Sequence, residues 1–101
     1  MEKFGIAGYG GRGKLIAGKL VDLGCEVLGV YDSNPAQLTD APFRTFTDLD
    51  SLLKLDINAV VIATWPSSHA RIAERALECG FDIFVEKPMG ATVAQSLQIV
   101  Q

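Results

Sequence analysis

Three glycines near the start of the chain have a spacing that can hold a phosphate. Gly8, Gly10 and Gly13 fit the pattern G-x-G-x-x-G, between an apolar run typical of a strand and a segment with helical periodicity. Gly8 permits a tight turn, Gly10 lets the main chain approach a pyrophosphate, and Gly13 lets the helix pack closely on the strand. The amides around Gly11 and Arg12 would then begin the helix, where its positive dipole end attracts phosphate oxygens.

A carboxylate follows this loop at a sequence spacing typical of dinucleotide-binding folds. Asp32 lies nineteen residues after Gly13, at the end of the second predicted strand, where it can accept hydrogen bonds from the ribose hydroxyls of adenosine. A 2′-phosphate would bring a like charge to Asp32, so the pair predicts NAD as the cofactor and disfavours NADP, although Arg12 could offset part of that repulsion. The alternative is that Asp32 is a solvated residue of the turn. The same stretch also has the frame of a P-loop, but Leu15 stands where a P-loop needs Ser or Thr for magnesium.

Strands and helices alternate along the rest of the chain. Such alternation predicts one doubly wound α/β domain over residues 1–101, a Rossmann fold of three layers with a parallel sheet of order 3-2-1-4-5. Ligands in this fold bind at the carboxyl ends of the strands, where the order reverses between the first and the fourth. Strands are predicted over Lys3–Tyr9, Glu26–Tyr31, Phe43–Phe46, Asn58–Thr64 and Asp82–Glu86. A helix is predicted to follow each strand. The second, third and fifth helices cover residues 35–40, residues 48–55 and Thr92–Gln101. The apolar residues of the first helix are Leu15, Leu20 and Leu23, and the inward residues of the fourth are Ile72, Ala73, Ala76 and Leu77.

Composition argues against several classes of protein. Nine basic residues are scattered among twelve acidic ones, giving a net charge of −3, which does not suit a duplex nucleic acid partner. The longest apolar run, Ala59–Ala63, is far shorter than the roughly 20 residues that span a bilayer, and the start of the sequence lacks a basic signal-peptide region, so we expect a cytoplasmic protein with no membrane contact. Cys25 and Cys79 are isolated and predict buried free thiols rather than a metal or redox site.

Two further segments complete a recognisable set. The fourth strand runs into Ala63-Thr64-Trp65-Pro66-Ser67-Ser68-His69, and Glu86-Lys87-Pro88 follows the fifth strand. Together with the glycine loop and Asp32, these segments make the whole chain resemble the Gfo/Idh/MocA oxidoreductases, the family of glucose-fructose oxidoreductase and inositol dehydrogenase.

The resemblance implies roles for individual residues. It makes Lys87 the catalytic residue, beside the nicotinamide and a sugar hydroxyl, where it positions substrate and assists proton transfer during hydride transfer. It puts Thr64, Trp65, Pro66, His69 and Glu86 at the cofactor as well, and suggests a cis bond before Pro88. Trp65 departs from the family, which usually has proline there, and the indole either packs on the cofactor or on its neighbours. His69 matches the family position, but we interpret it as a structural hydrogen-bonding residue, because the nearby helix dipole opposes an imidazolium.

The resemblance also raises the question of what the chain does alone. We expect the family's C-terminal substrate domain to be absent, which leaves an exposed edge strand and favours a homo-oligomer. The first functional hypothesis is the NAD-binding domain of a dehydrogenase acting on a sugar or polyol hydroxyl, with little or no turnover by itself. The alternative is a non-catalytic CoA- or NAD-binding regulatory module on the same fold.

Overall fold

A sheet of five parallel strands lies at the centre of the molecule, in the order β3-β2-β1-β4-β5. The structure is a computed structural model that describes residues 2–64 and 66–85. The strands are β1 (Lys3–Ala7), β2 (Glu26–Tyr31), β3 (Arg44–Phe46), β4 (Ala59–Ile62) and β5 (Asp82–Val85). The predicted strand order and the doubly wound α/β fold are confirmed.

Helices cover both faces of the sheet and make the fold three-layered. They are α1 (Gly11–Asp22), a 3₁₀ helix (Pro35–Leu38), α2 (Leu49–Leu53) and α3 (Pro66–Glu78). Side chains cap two of these segments: the Asn34 side chain accepts from the Ala36 amide at 3.1 Å, and the Asp48 carboxylate accepts from the Ser51 amide at 3.1 Å. Asp48 is thus the cap of α2 and not, as predicted, its first helical residue.

Strand residues alternate between two buried clusters. In β4, Val60 and Ile62 pack with α2 and α3 on one face, whereas Ala59 and Val61 pack with α1 and the 3₁₀ helix on the other. All four side chains are buried, as expected for a parallel strand covered on both sides. This arrangement holds the carboxyl ends of β1, β2 and β4 at one edge of the sheet.

Two glycines that are neighbours across β1 and β2 make room for the α2 region. Gly5 pairs with Gly29 in the parallel register. A Cβ on Gly29 would lie 2.7 Å from Leu55 Cδ1 and 2.8 Å from Phe46 Cε2, and one on Gly5 would lie 2.9 Å from Ile57 Cδ1. The bare backbone therefore allows these apolar side chains to rest directly on the sheet.

Several sequence predictions were wrong in detail. Strands β1 and β4 end at Ala7 and Ile62, short of Tyr9 and Thr64, because the chain turns into the loops at the sheet edge. The predicted helix over Thr92–Gln101 lies outside the described residues.

Some apolar residues were also assigned to the core wrongly. Leu15, Leu23 and Leu77 are 50%, 78% and 46% exposed. Leu15 lies on the side of α1 away from the sheet, Leu23 follows the last residue of α1, and Leu77 lies at the edge of the inward face of α3. Cys25 is only partly buried and Cys79 is exposed near the end of α3, so the expectation of two buried thiols was wrong for Cys79.

Candidate functional site

The glycine loop connects β1 to α1 through a turn that only glycine accommodates easily. Gly8 has φ +104°, and a Cβ there would lie 2.7 Å from the Ala63 carbonyl carbon and 2.8 Å from Thr64 Cγ2. The Gly8 amide donates to the Tyr31 carbonyl at 2.7 Å. Gly8 therefore lies in close contact with the segment after β4 and is hydrogen-bonded to the end of β2.

Helix α1 begins directly after this turn. Gly10 is its N-cap in an extended conformation, no side chain caps the helix, and the Gly10 carbonyl accepts from the Lys14 amide at 2.9 Å. A Cβ on Gly10 or Gly11 would meet no atom within 4 Å. The amides of the first turn have no intrahelical acceptors, so the helix start offers N–H donors and the positive dipole end beside open space. These residues fit the diphosphate of a dinucleotide.

Gly13 closes the helix onto the strand. A Cβ on Gly13 would overlap the Gly8 carbonyl oxygen and lie 2.9 Å from the Gly8 carbonyl carbon. The third glycine thus has the packing role that its position in the motif predicts. Arg12, between these glycines, is exposed on the first turn of α1.

Asp32 lies just past the end of β2 and its carboxylate faces the glycine loop. Oδ2 accepts from the Tyr9 amide at 2.9 Å, and Oδ1 accepts from the Asn34 amide at 2.8 Å. An ionised carboxylate has about four lone-pair positions, so each oxygen keeps capacity for a further donor such as a hydroxyl. The Asp32 side chain is therefore hydrogen-bonded to the glycine loop and does not extend into solvent.

His69 joins the start of α3 to the segment after β4. Its Nε2 lies 2.6 Å from the Thr64 carbonyl oxygen, and since a carbonyl oxygen only accepts, Nε2 carries the hydrogen and donates. The side chain is buried, and Nδ1 has no hydrogen-bond partner among the described residues. This geometry suits a structural task, in which the ring joins the start of α3 to the segment after β4.

Tyr9 is a residue of the loop that sequence reasoning overlooked. Its ring is buried beneath the loop, edge-on to Phe43 at 6.4 Å between centroids, and the Lys14 ammonium lies 5.6 Å from its centroid. Burial raises the pKa of the Tyr9 phenol above its ordinary value of 10.0. The signal was present in the sequence as an aromatic residue between two glycines, a position where an anchor restrains an otherwise flexible loop.

The structure brings together part of the predicted site. The glycine loop, Asp32, Thr64 and His69 meet at the carboxyl edge of the sheet, between β1 and β4 where the strand order reverses. Pro66 is the first residue of α3. The predictions for Trp65, Glu86, Lys87 and the cis bond before Pro88 lie outside the described residues.

The described residues contain neither a metal-binding cluster nor a membrane-spanning helix. Within residues 2–64 and 66–85, no three His, Cys, Asp or Glu side chains are grouped so that they could hold a metal ion. No helix in that part of the chain has the length and apolar character needed to cross a bilayer.

Comparison with known proteins identifies the family. A family model described as an oxidoreductase family with an NAD-binding Rossmann fold, Gfo/Idh/MocA, matches residues 2–101. The UDP-N-acetylglucosamine 3-dehydrogenase of Acidithiobacillus ferrooxidans is 32% identical over 88 residues, covering 83% of this chain and 28% of that protein. An inositol 2-dehydrogenase of Acidothermus cellulolyticus is 30% identical over 107 residues, covering 98% of this chain and 31% of that protein. The chain thus spans less than a third of either relative.

Solved structures agree with the sequence comparison. The WlbA dehydrogenase of Bordetella pertussis, in complex with NADH and UDP-GlcNAcA, superposes with a TM-score of 0.81 at 27% identity over 98% of this chain and 32% of that one. The apo scyllo-inositol dehydrogenase of Lactobacillus casei gives a TM-score of 0.79 at 28% identity, over 99% of this chain and 33% of that one. The resemblance inferred from the motifs is confirmed, and the chain belongs to the Gfo/Idh/MocA oxidoreductase family, whose NAD-binding Rossmann fold it carries.

Proposed function

We propose that the chain binds NAD across the crevice between β1 and β4, with the diphosphate on Gly8–Gly13 and the adenosine ribose on Asp32. The observation that carries this proposal is the open space at Gly10 and Gly11, at an uncapped helix start beside a carboxylate that faces the loop. Main-chain donors and the helix dipole favour the diphosphate, and the carboxylate favours ribose hydroxyls over a 2′-phosphate.

A titration tests the binding and its preference. NADH is added while Trp65, the single tryptophan, is excited, and saturable energy transfer to the nicotinamide is expected. Calorimetry with NADH and NADPH should give the tighter binding for NADH. Tighter binding of NADPH would contradict the role of Asp32, and displacement of NADH by CoA would select the regulatory module instead.

We further propose that residues 1–101 are the cofactor-binding part of a dehydrogenase acting on a sugar or polyol hydroxyl. The family membership supports this, as do the names of the relatives, which are inositol and UDP-N-acetylglucosamine dehydrogenases. Bound NAD supplies the hydride acceptor. The chain would hold the diphosphate and ribose through Gly8–Gly13 and Asp32, with Thr64, Trp65, Pro66, His69 and Glu86 around the rest of the cofactor.

Lys87 is proposed as the catalytic residue of that reaction. An ammonium at the carboxyl end of a strand can hydrogen-bond an alcohol oxygen and would stabilise the negative charge that this oxygen gains as its proton leaves. Hydride transfer also needs groups that orient the substrate, and these would come from residues beyond the dinucleotide-binding unit. With NAD and myo-inositol, we therefore expect saturable cofactor binding but no reduction above the rate without protein. Ready turnover by these 101 residues alone would contradict the proposal that the substrate-orienting groups come from other residues.

We also propose that the protein self-associates and resides in the cytoplasm. Two exposed apolar side chains, Phe84 on β5 and Leu23 just after α1, support the first proposal. Two free thiols, one of them exposed, suit a reducing compartment and support the second. Light scattering at high protein concentration and cell fractionation test these two proposals, and a strictly monomeric species or a secreted protein would contradict them.

A further inference from the structure

The Asp32 carboxylate bridges two loops that are far apart in the sequence. Oδ2 accepts from the amide of Tyr9, 23 residues away in the glycine loop, and Oδ1 accepts from the amide of Asn34 in the loop after β2. The Asp32 amide itself donates to the Phe46 carbonyl at 3.1 Å, at the end of β3. The residue that holds the glycine loop is therefore hydrogen-bonded on its other side to the edge of the sheet.

We infer that this bridge holds the glycine loop in the shape that receives a diphosphate, so that Asp32 is a positioning residue for the phosphates as well as the partner of the ribose. The inference rests on the proposed function of the site. It assigns to Asp32 a contribution to binding that persists when the ligand has no ribose hydroxyls.

The composition of the loop explains why such an anchor is needed. Gly8, Gly10 and Gly11 have no side chains to restrict the main chain, and glycine loses more conformational freedom on ordering than any other residue. Tyr9 lies between them, with its ring packed into the core below and its amide bonded to Asp32 above. A hydrogen bond to an ionised acceptor is stronger than one between neutral groups, which makes the carboxylate an effective anchor.

If the only role of Asp32 is to bind the ribose, its charge predicts the opposite effect of its removal on phosphate affinity. The carboxylate is negative and lies beside the place where the diphosphate binds, so it repels the phosphates. For a ligand without ribose hydroxyls, removal of Asp32 should then leave affinity unchanged or increase it. If Asp32 also holds the loop, the same substitution weakens binding, so the two roles predict opposite signs.

The experiment measures binding of two ligands to the 101-residue chain and to Asp32→Ala by NMR titration. The ligands are NADH and 2′,3′-dideoxyadenosine 5′-diphosphate, which keeps the diphosphate but lacks both ribose hydroxyls. Asp22→Ala is the matched control, since it also removes a carboxylate, but one at the opposite end of α1 from the glycine loop. We expect Asp32→Ala to weaken the dideoxy ligand by about tenfold, the size expected for a lost charge-assisted hydrogen bond. NADH should be weakened more than that, because it also loses its ribose partner, and Asp22→Ala should weaken neither ligand.

The outcomes separate the inference from the proposed function. If Asp32→Ala weakens NADH but binds the dideoxy ligand as well as or better than the wild type, Asp32 is only a ribose partner and the inference is wrong. If the wild type binds neither ligand, the proposed function itself fails.

Hydrogen exchange of the wild type tests the bridge without any variant. The Tyr9 amide has an acceptor, whereas the Gly11 amide is in the first turn of α1 and has no intrahelical one. We expect the Tyr9 amide to exchange at least about tenfold more slowly than the Gly11 amide, after correction for intrinsic rates. Equal rates would show that the carboxylate does not hold the loop. In Asp32→Ala this protection should disappear while that of Ile6, in β1, remains and reports an intact fold.

Discussion

The Nε2–H of His69 supports the glycine loop through the residue that it bonds. Its acceptor is the Thr64 carbonyl oxygen, and the Thr64 methyl group lies where it would contact a Cβ on Gly8. The ring thus fixes the segment after β4 against the turn that must bind the diphosphate. A residue buried in this way can affect cofactor affinity through the loop that it supports.

Two substitutions at His69 should distinguish the hydrogen bond from the volume of the ring. His69→Phe keeps the volume but loses the donor to Thr64, which should lower the free energy of unfolding by about 1–3 kcal/mol and weaken NADH binding. His69→Gln carries an amide N–H and should recover part of both losses. Urea denaturation and NADH titration measure the two effects. Equal stability and affinity of His69→Phe and the wild type would show that the bond to Thr64 is unimportant.

Tyr9 should give the protein a pH dependence in the alkaline range. Because burial raises the pKa of its phenol, the folded state keeps the proton at pH values where the unfolded chain has lost it. The stability associated with the buried neutral phenol is complete below the ordinary pKa of 10.0 and is lost as the pH rises through the folded pKa. As the pH rises above the ordinary pKa of 10.0, the free energy of unfolding should therefore fall more steeply in the wild type than in Tyr9→Phe. Parallel curves from urea denaturation would contradict the burial of the phenol.

At the level of elements, the glycines in and before α1 have different structural roles. Gly13 is needed for the helix to approach the strand, since a Cβ would overlap the Gly8 carbonyl oxygen. Gly10 has open space around it, so its lack of a side chain serves a ligand rather than the fold. Gly18, on the exposed side of α1, has neither constraint.

Alanine substitutions at these glycines should have three different results. Gly10→Ala should leave the free energy of unfolding nearly unchanged but weaken NADH binding by about tenfold or more, because the methyl group occupies the approach of the diphosphate. Gly13→Ala should destabilise the fold by about 2 kcal/mol or more through overpacking against main-chain atoms. Gly18→Ala is the control and should stabilise the helix by up to about 1 kcal/mol without affecting binding.

Thermal unfolding and calorimetry with NADH give both quantities for each variant. Unchanged NADH affinity in Gly10→Ala would mean that the diphosphate does not approach this residue. An unaffected fold in Gly13→Ala would mean that α1 does not pack as closely on Gly8 as the structure indicates.

In the molecule as a whole, the two faces of the sheet are covered unequally in the described residues. Helices α2 and α3 close one face, where Ile62, Ile72 and Ile83 are fully buried. On the other face, an apolar groove of about 260 Å³ remains between α1 and β5, beside the partly exposed Phe84. It is lined by Phe4, Ile16, Leu20, Val61, Phe84 and Val85.

This asymmetry predicts which face takes part in self-association. Phe84→Glu should shift the protein towards the monomer, because it puts a charge beside the apolar groove that the described residues leave between α1 and β5. Leu77→Glu is a matched control, since Leu77 is exposed to nearly the same extent, 46% against 47%, but lies on α3. Sedimentation or light scattering over a range of concentrations measures the difference. If the two variants behave alike, the groove between α1 and β5 is not the contact surface.

Much of this architecture could be predicted from local patterns. Apolar periodicity and the residues between the runs are properties of neighbouring positions, so they indicate each element, the alternation and hence the parallel sheet. The glycine spacing and its distance to Asp32 are equally local, and the family's motifs could be recognised from the residues alone.

The contacts between distant segments could not be read from those patterns. That the Asp32 carboxylate bonds to the Tyr9 amide, that His69 donates to Thr64, and that Gly29 makes room for Leu55 depend on which strand ends the crossovers bring together. Helical periodicity also does not say how far around a helix the neighbouring layer reaches, and for that reason Leu77 was assigned to the core. The local sequence encodes the elements and the chemical groups that they carry, whereas the partner of each group is decided when the sheet closes and buried polar atoms must find hydrogen bonds.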